Sequence, residues 1–166
     1  GAPDFGPMLV LATFLTRTLG EVAELPSVST RPFSERGVGA LYDFGGDPAS
    51  VTVYVDGGLG EPQRTFATAL TVVNILGHAK LQGGIDDMKA AARGQFLQQA
   101  QTIRDRARLA GLFASRAMGA DFQTEAVSAI DRTTSADLQR VAARYLGSPT
   151  VALVLPRSMQ LPEERN

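Results

Sequence analysis

The amino-acid sequence predicts an α+β fold, with a small, mostly antiparallel sheet and a helical layer on one face. Three observations predict it. Apolar residues recur at helical spacing near the start of the chain, and a period-two pattern then appears twice around a glycine- and proline-containing turn. A run of helices follows, closed by one short apolar strand, and this order lacks the strand–helix alternation of a doubly wound sheet.

Each element follows from its own pattern. Leu9, Leu11, Ala12, Leu15, Leu19 and Val22 form an apolar stripe that predicts a first helix over Met8 to Glu24. Gly20 to Arg36 is rich in Ser, Thr, Pro and Gly and reads as a long connection, a class of loop that is often functional. Strands are predicted from Gly39 to Phe44 and from Ser50 to Asp56. In the second, Val51, Val53 and Val55 face one way and Thr52, Tyr54 and Asp56 the other. Gly45-Gly46-Asp47-Pro48 makes the hairpin turn, with the proline where no ladder hydrogen bond is required.

A second helix is expected from about Pro62 to Ala79, with the proline in its first turn and Phe66, Leu70, Val73 and Leu76 inward. Asp86 is placed to cap a third helix over 86–100, whose apolar positions include Met88, Ala92 and Phe96. Thr102 with Asp105, and Thr134 with Asp137, fit the capping box and start helices over 103–118 and 135–146, with another over 122–131. Gly147-Ser148-Pro149 stops the last helix, and residues 150–155 form a closing strand. One domain over 1–156 and a frayed polar tail over 157–166 are expected. Three strands against five or six helices make an unusually small sheet, as expected of a fragment of a larger protein.

Composition narrows the function classes. A chain of 166 residues buries roughly 70% of its unfolded surface and needs no covalent staples. The absence of cysteine excludes disulfides, thiolate zinc sites and a cysteine nucleophile, and leaves the compartment undetermined. A net charge of -1 gives no general attraction to nucleic acid or anionic membrane. The longest apolar stretch, Pro7 to Leu15, is far short of the about 20 residues of a membrane span. No basic leader of a signal peptide precedes it.

Candidate chemical motifs have ordinary structural explanations. His78 is the only histidine, so it has no second His or Cys with which to build a zinc site, and it reads as a partly buried residue or a cation at a helix C-terminus. Asp86 and Asp87 are adjacent on a helix and do not face each other. Asp43-Phe44-Gly45 lacks the other parts of a kinase site, and Gly57-Gly58-Leu59-Gly60 lacks the Lys-Ser/Thr of a phosphate cradle. Arg93, Arg104, Arg106, Arg108 and Arg116 stand against Asp105 alone, a solvated basic face or a docking surface for an acidic segment. Ser115, Ser128 and Thr134 have no histidine in local context, so no self-sufficient hydrolase site emerges.

Several segments, in the right order and over nearly the whole chain, carry a family resemblance. They are Met8-Leu-Val-Leu-Ala-Thr-Phe-Leu15, Arg36-Gly-Val-Gly-Ala-Leu-Tyr42 and Gly84-Ile-Asp-Asp-Met-Lys89. The fourth runs from Ala129 through Thr134, Asp137 and Val141 to Tyr145-Leu146, and leads into the strand ending at Pro156. In these the chain resembles the C-terminal half of a domain of the pitrilysin/insulinase-type zinc metallopeptidases, a family that includes processing peptidases and the core subunits of the respiratory bc1 complex. The family's H-x-x-E-H zinc motif is missing from this chain.

The resemblance implies a non-catalytic half that forms one wall of a peptide-binding chamber and takes unfolded peptide by β-addition. It implies that zinc and proteolysis reside on another segment or a partner subunit, so that this chain alone binds no zinc stoichiometrically and cleaves nothing. In catalytic relatives an arginine and a tyrosine of this segment hold the substrate, donating hydrogen bonds to an oxygen on which negative charge develops. Tyr42 is the matching tyrosine. The family's spacing of seven before the tyrosine falls on Glu35, so Arg36, six residues away, or Arg31, eleven away, supplies the guanidinium. The partners implied are an extended peptide and a zinc-bearing domain or subunit, with homo- or hetero-oligomers possible. The second reading is a catalytically silent assembly subunit like the bc1 core proteins, and a third is an unrelated small α+β binding domain.

Overall fold

A computed structural model of the chain describes residues 3–23, 37–45, 49–56, 67, 69–71, 73–74, 84–116, 118–119, 121–150 and 152. Among them the elements run α1 (Phe5–Ala23), β1 (Gly37–Asp43), β2 (Ser50–Asp56), α2 (Ile85–Gln98), α3 (Ile103–Ser115), α4 (Phe122–Arg132) and α5 (Ser135–Tyr145). Residues 67, 69–71 and 73–74 are also helical, inside the predicted second helix, and Val73 there is buried. The fold is α+β, a small antiparallel sheet with a helical layer.

α1 is the central helix, packed on by β1, α2, α4 and α5. It begins three residues before the predicted start, with the Asp4 carbonyl accepting from the Met8 N–H at 2.8 Å. Phe5, Met8, Val10, Leu11, Ala12, Leu15 and Leu19 are all buried, so the helix is apolar nearly all round, as a helix enclosed by neighbours must be. Two buried threonines keep the burial free of unmet hydrogen bonds. Thr13 donates to the Leu9 carbonyl at 3.0 Å. Thr16 donates to Ala12 O at 2.9 Å and accepts from the Ala40 N–H at 2.8 Å, which pins β1 to α1. At the other end of the helix, a Cβ on Gly6 would lie 2.4 Å from the Ala129 carbonyl oxygen. Only glycine lets α1 and α4 approach so closely there.

β1 and β2 pair antiparallel, with Tyr42 opposite Val51, Ala40 opposite Val53 and Val38 opposite Val55. These six residues share one face and pack into or against the core, and among them Val51, Val53 and Val55 lie together as the alternation predicts. Tyr54, on the opposite face, is only 4% exposed, so both faces of the hairpin carry buried side chains. Phe44 lies past the end of β1 instead of within it. Its ring stacks on Phe113 (5.8 Å between centroids, 21°), and the chain turns there as Asp43 Oδ1 accepts from the Gly45 N–H at 2.9 Å.

The later helices follow their caps with one exception. α2 is capped by Gly84, whose φ of 68° lies in the left-handed region, and not by Asp86. Asp86 and Asp87 occupy the first turn instead, where carboxylates oppose the positive end of the helix dipole. Met88, Ala92 and Phe96 are buried as the spacing predicts. Thr102 caps α3 by accepting from the Asp105 N–H at 3.1 Å, and that helix ends at Ser115, short of the predicted 118. Thr134 and Asp137 close a complete capping box on α5.

Phe5 joins these elements. Its ring lies edge-on to Tyr42, Phe44, Phe96, Phe113 and Phe122, at centroid distances of 5.0–6.3 Å. The rest of the second helix, most of the closing strand and the tail over 157–166 lie outside the described residues. No helix among the described residues is long and apolar enough to cross a membrane.

Candidate functional site

The residue singled out by resemblance, Tyr42, is the second-last residue of β1. Its ring lies 6.0 Å from Phe5 and 6.0 Å from Phe44, so the side chain stands at the rim of the aromatic core, half-buried. Burial first, and then nearby Tyr145 and Asp4, push its phenol above the ordinary tyrosine value. The hydroxyl therefore stays protonated at neutral pH, the state in which it donates a hydrogen bond.

Beside it is a polar cluster that joins the two ends of the helical layer. Asp4, at the start of α1, accepts from the Tyr145 hydroxyl at 2.8 Å and from Arg140 Nη1, and Arg144 Nη1 lies 3.6 Å from its other edge. Arg140 and Arg144 sit one turn apart on α5, and Arg140 also reaches Asp137 at 3.5 Å. The Arg140 hydrogen bond is the largest cause holding the Asp4 carboxyl below the usual carboxylate range, and Tyr145 lowers it further. The Asp4 carboxylate in turn pushes the Tyr145 phenol up. The arrangement is an ion-paired clasp in which each oxygen of the Asp4 carboxylate accepts one hydrogen bond.

Sequence reasoning missed this clasp. Arg140, Arg144 and Asp137 carry a visible helical spacing, but their partner Asp4 is separated from Arg140 by 136 residues, and no local pattern announces the pairing. Of the other predicted site residues, Arg36 and Arg31 lie outside the described residues, as do Glu35 and His78. Two shallow depressions, of about 370 Å³ between α2 and α4 and about 280 Å³ beside the start of α1, are not lined by Tyr42.

The motif readings resolve into structure. Asp43 closes the turn after β1, Asp86 pairs with Lys89 at 3.1 Å, Ser115 donates to the Leu112 carbonyl, and Thr134 is a helix cap. Among the described residues no group of three or more His, Cys, Asp or Glu side chains could hold a metal ion. With no cysteine and one histidine in the chain, the donor set does not suit zinc.

Comparison with known proteins finds no matching family model, no matching curated protein and no matching solved structure.

Proposed function

We propose that this chain is a non-catalytic, substrate-binding domain of a pitrilysin-like zinc metallopeptidase, forming one wall of a chamber and supporting hydrolysis at a zinc site elsewhere. The observation that carries the reading is the position of Tyr42. A protonated, half-buried phenol stands near the end of a strand in an antiparallel hairpin, and on this reading an extended peptide adds as a further strand beside it. In that position it donates to a substrate carbonyl as negative charge develops. Arg36 or Arg31 is the partner that the resemblance implies for it.

The test is binding of a fluorescein-labelled unfolded peptide to the isolated chain, followed by anisotropy. Tyr42→Phe keeps the ring that packs on Phe5 and removes only the hydroxyl, so the melting temperature stays unchanged. Affinity falls about threefold to tenfold, the worth of one hydrogen bond. Equal peptide binding by Tyr42→Phe and the parent chain defeats the role given to the phenol. Chelator-sensitive cleavage of a peptide library by the isolated chain defeats the non-catalytic reading altogether.

One observation favours the second reading, a silent assembly subunit. The Tyr42 ring is packed against Phe5 and Phe44, as a purely structural aromatic would be. On that reading Tyr42→Phe is neutral in every assay and only Tyr42→Ala loses stability.

A further inference from the structure

The outward face of α3 carries charge that no other described residue answers. Leu109 and Phe113 turn inward, while Arg104, Ala107, Arg108 and Gly111 are exposed and Ile103 is 83% exposed. The other arginines of the basic segment are engaged. Arg93 pairs with Asp131 at 3.6 Å, Arg106 Nε donates to the Ala100 carbonyl at 3.2 Å, and Arg116 donates to the Gly45 carbonyl. Among the described residues Arg104 and Arg108 form no ion pair.

Their placement works against the helix that holds them. Like charges one turn apart repel, and cations in the first two turns oppose the positive end of the helix dipole. Asp105 is the only acid in the helix, and its carboxylate is turned to Thr102, 2.7 Å away. The arrangement suits an anion brought from outside.

We propose that this face docks an acidic helical segment of a partner protein, with carboxylates one turn apart set against Arg104 and Arg108. Ile103 supplies an exposed apolar contact beside them, and Ala107 and Gly111 add no bulk between, so a second helix approaches closely. A nucleic acid is the poorer fit. The face has no aromatic side chain on which a base could stack, two free cations neutralise few phosphates, and the whole chain carries a net charge of -1. A membrane surface is poorer still, because Ile103 is the only large apolar side chain on the face. The proposal does not rest on the peptidase reading.

The experiment measures anisotropy of a labelled helical peptide bearing glutamates four residues apart, added to the full chain at low salt and at about 0.15 M salt, where screening acts beyond about 8 Å. The expected result is saturable binding that weakens with salt and falls at least about tenfold in Arg104→Glu/Arg108→Glu. Both side chains are exposed, so the circular dichroism melt of that variant stays cooperative. A second peptide with lysines in place of the glutamates binds the reversed variant and not the parent chain. Equal binding of the acidic peptide by both proteins, or failure of the lysine peptide to restore binding, overturns the proposal. A single-stranded oligonucleotide or phosphatidylserine vesicles bound more tightly than the acidic peptide, through the same two arginines, overturns it in favour of that class.

Discussion

Helices α3 and α5 begin with the same cap, a threonine followed three residues later by aspartate, yet the fold uses the two helices differently. α5 lays Leu138, Val141 and Ala142 against the core, and its arginines 140 and 144 meet the Asp4 carboxylate at the start of α1. α3 is anchored by Leu109 and Phe113 and leaves Arg104 and Arg108 facing solvent. A cap thus fixes where a helix starts and does not decide whether its charges serve the fold or something outside it. That is decided by which residues the tertiary structure brings alongside.

The comparison breaks first, and most strongly, at the anchor of α3. Phe113 is 1% exposed and its ring meets Phe5, Phe44, Phe96 and Phe122. Phe113→Ala should cost about 3–5 kcal/mol in urea unfolding, the range for a large aromatic deleted from a core. A loss under about 1 kcal/mol would mean that α3 is held mainly by its cap, and the contrast drawn between the helices would be wrong. Away from α3 the matching weak point is Gly6 at the contact of α1 with α4, because any Cβ there drives α1 off the α4 backbone. Gly6→Ala is expected to lose about 1–3 kcal/mol, even though alanine is the better helix former. A stabilised Gly6→Ala chain would show that the two helices do not meet there.

The caps themselves sharpen the comparison at smaller scale. The Thr134 hydroxyl accepts from the Asp137 N–H at 3.2 Å while Asp137 Oδ2 accepts from the Thr134 N–H at 3.1 Å, and Asp137 also holds Arg140. Thr102 has the first of these bonds, from the Asp105 N–H at 3.1 Å. Thr134→Ala should therefore cost about 1–2 kcal/mol and Thr102→Ala about 0.5–1 kcal/mol, both read from denaturant midpoints. Equal losses would mean that the reciprocal bond and the link to Arg140 add nothing.

What the sequence revealed of this molecule was local, and what it concealed was not. Periodicity found α1, the two strands of the hairpin and the buried triplet Met88, Ala92 and Phe96, because each is written within a few residues of itself. It misplaced the cap of α2, since an acidic first turn and a true N-cap look alike until the left-handed Gly84 is seen. It expected Tyr54 on the face away from the valines and had no means to see that this face is also covered. Tyr42 was reached through resemblance, and its position at the rim of the aromatic core depends on Phe5, 37 residues earlier in the chain. The Asp4 clasp was illegible for the same reason, being a contact between the two ends of the helical layer.

The smallest effect isolates that clasp by its response to pH. Asp4 and Asp137 both have carboxyls held below the ordinary value of 3.8, Asp4 chiefly by Arg140 and Asp137 chiefly by the Thr134 hydroxyl. A carboxyl depressed on folding stabilises the fold above its ordinary value, and that contribution is lost as pH falls through the lower folded value. Asp4→Asn keeps an acceptor for Tyr145 and Arg140, so the variant should melt only slightly below the parent at pH 7. The gap should then close as the pH is taken below 3.8, because the parent alone is losing the Asp4 contribution there. The alkaline side gives an independent reading: Tyr145 is raised above 10.0 chiefly by its bond to Asp4, so its contribution is complete below that pH and is lost as pH rises through the folded value. Asp4→Asn should flatten both limbs, whereas Arg104→Ala, which removes a side chain that forms no ion pair among the described residues, should leave both limbs unchanged. Identical acid limbs in parent and Asp4→Asn would show that Arg140 is as idle as Arg104, and the difference between α3 and α5 would reduce to how many apolar residues each one buries.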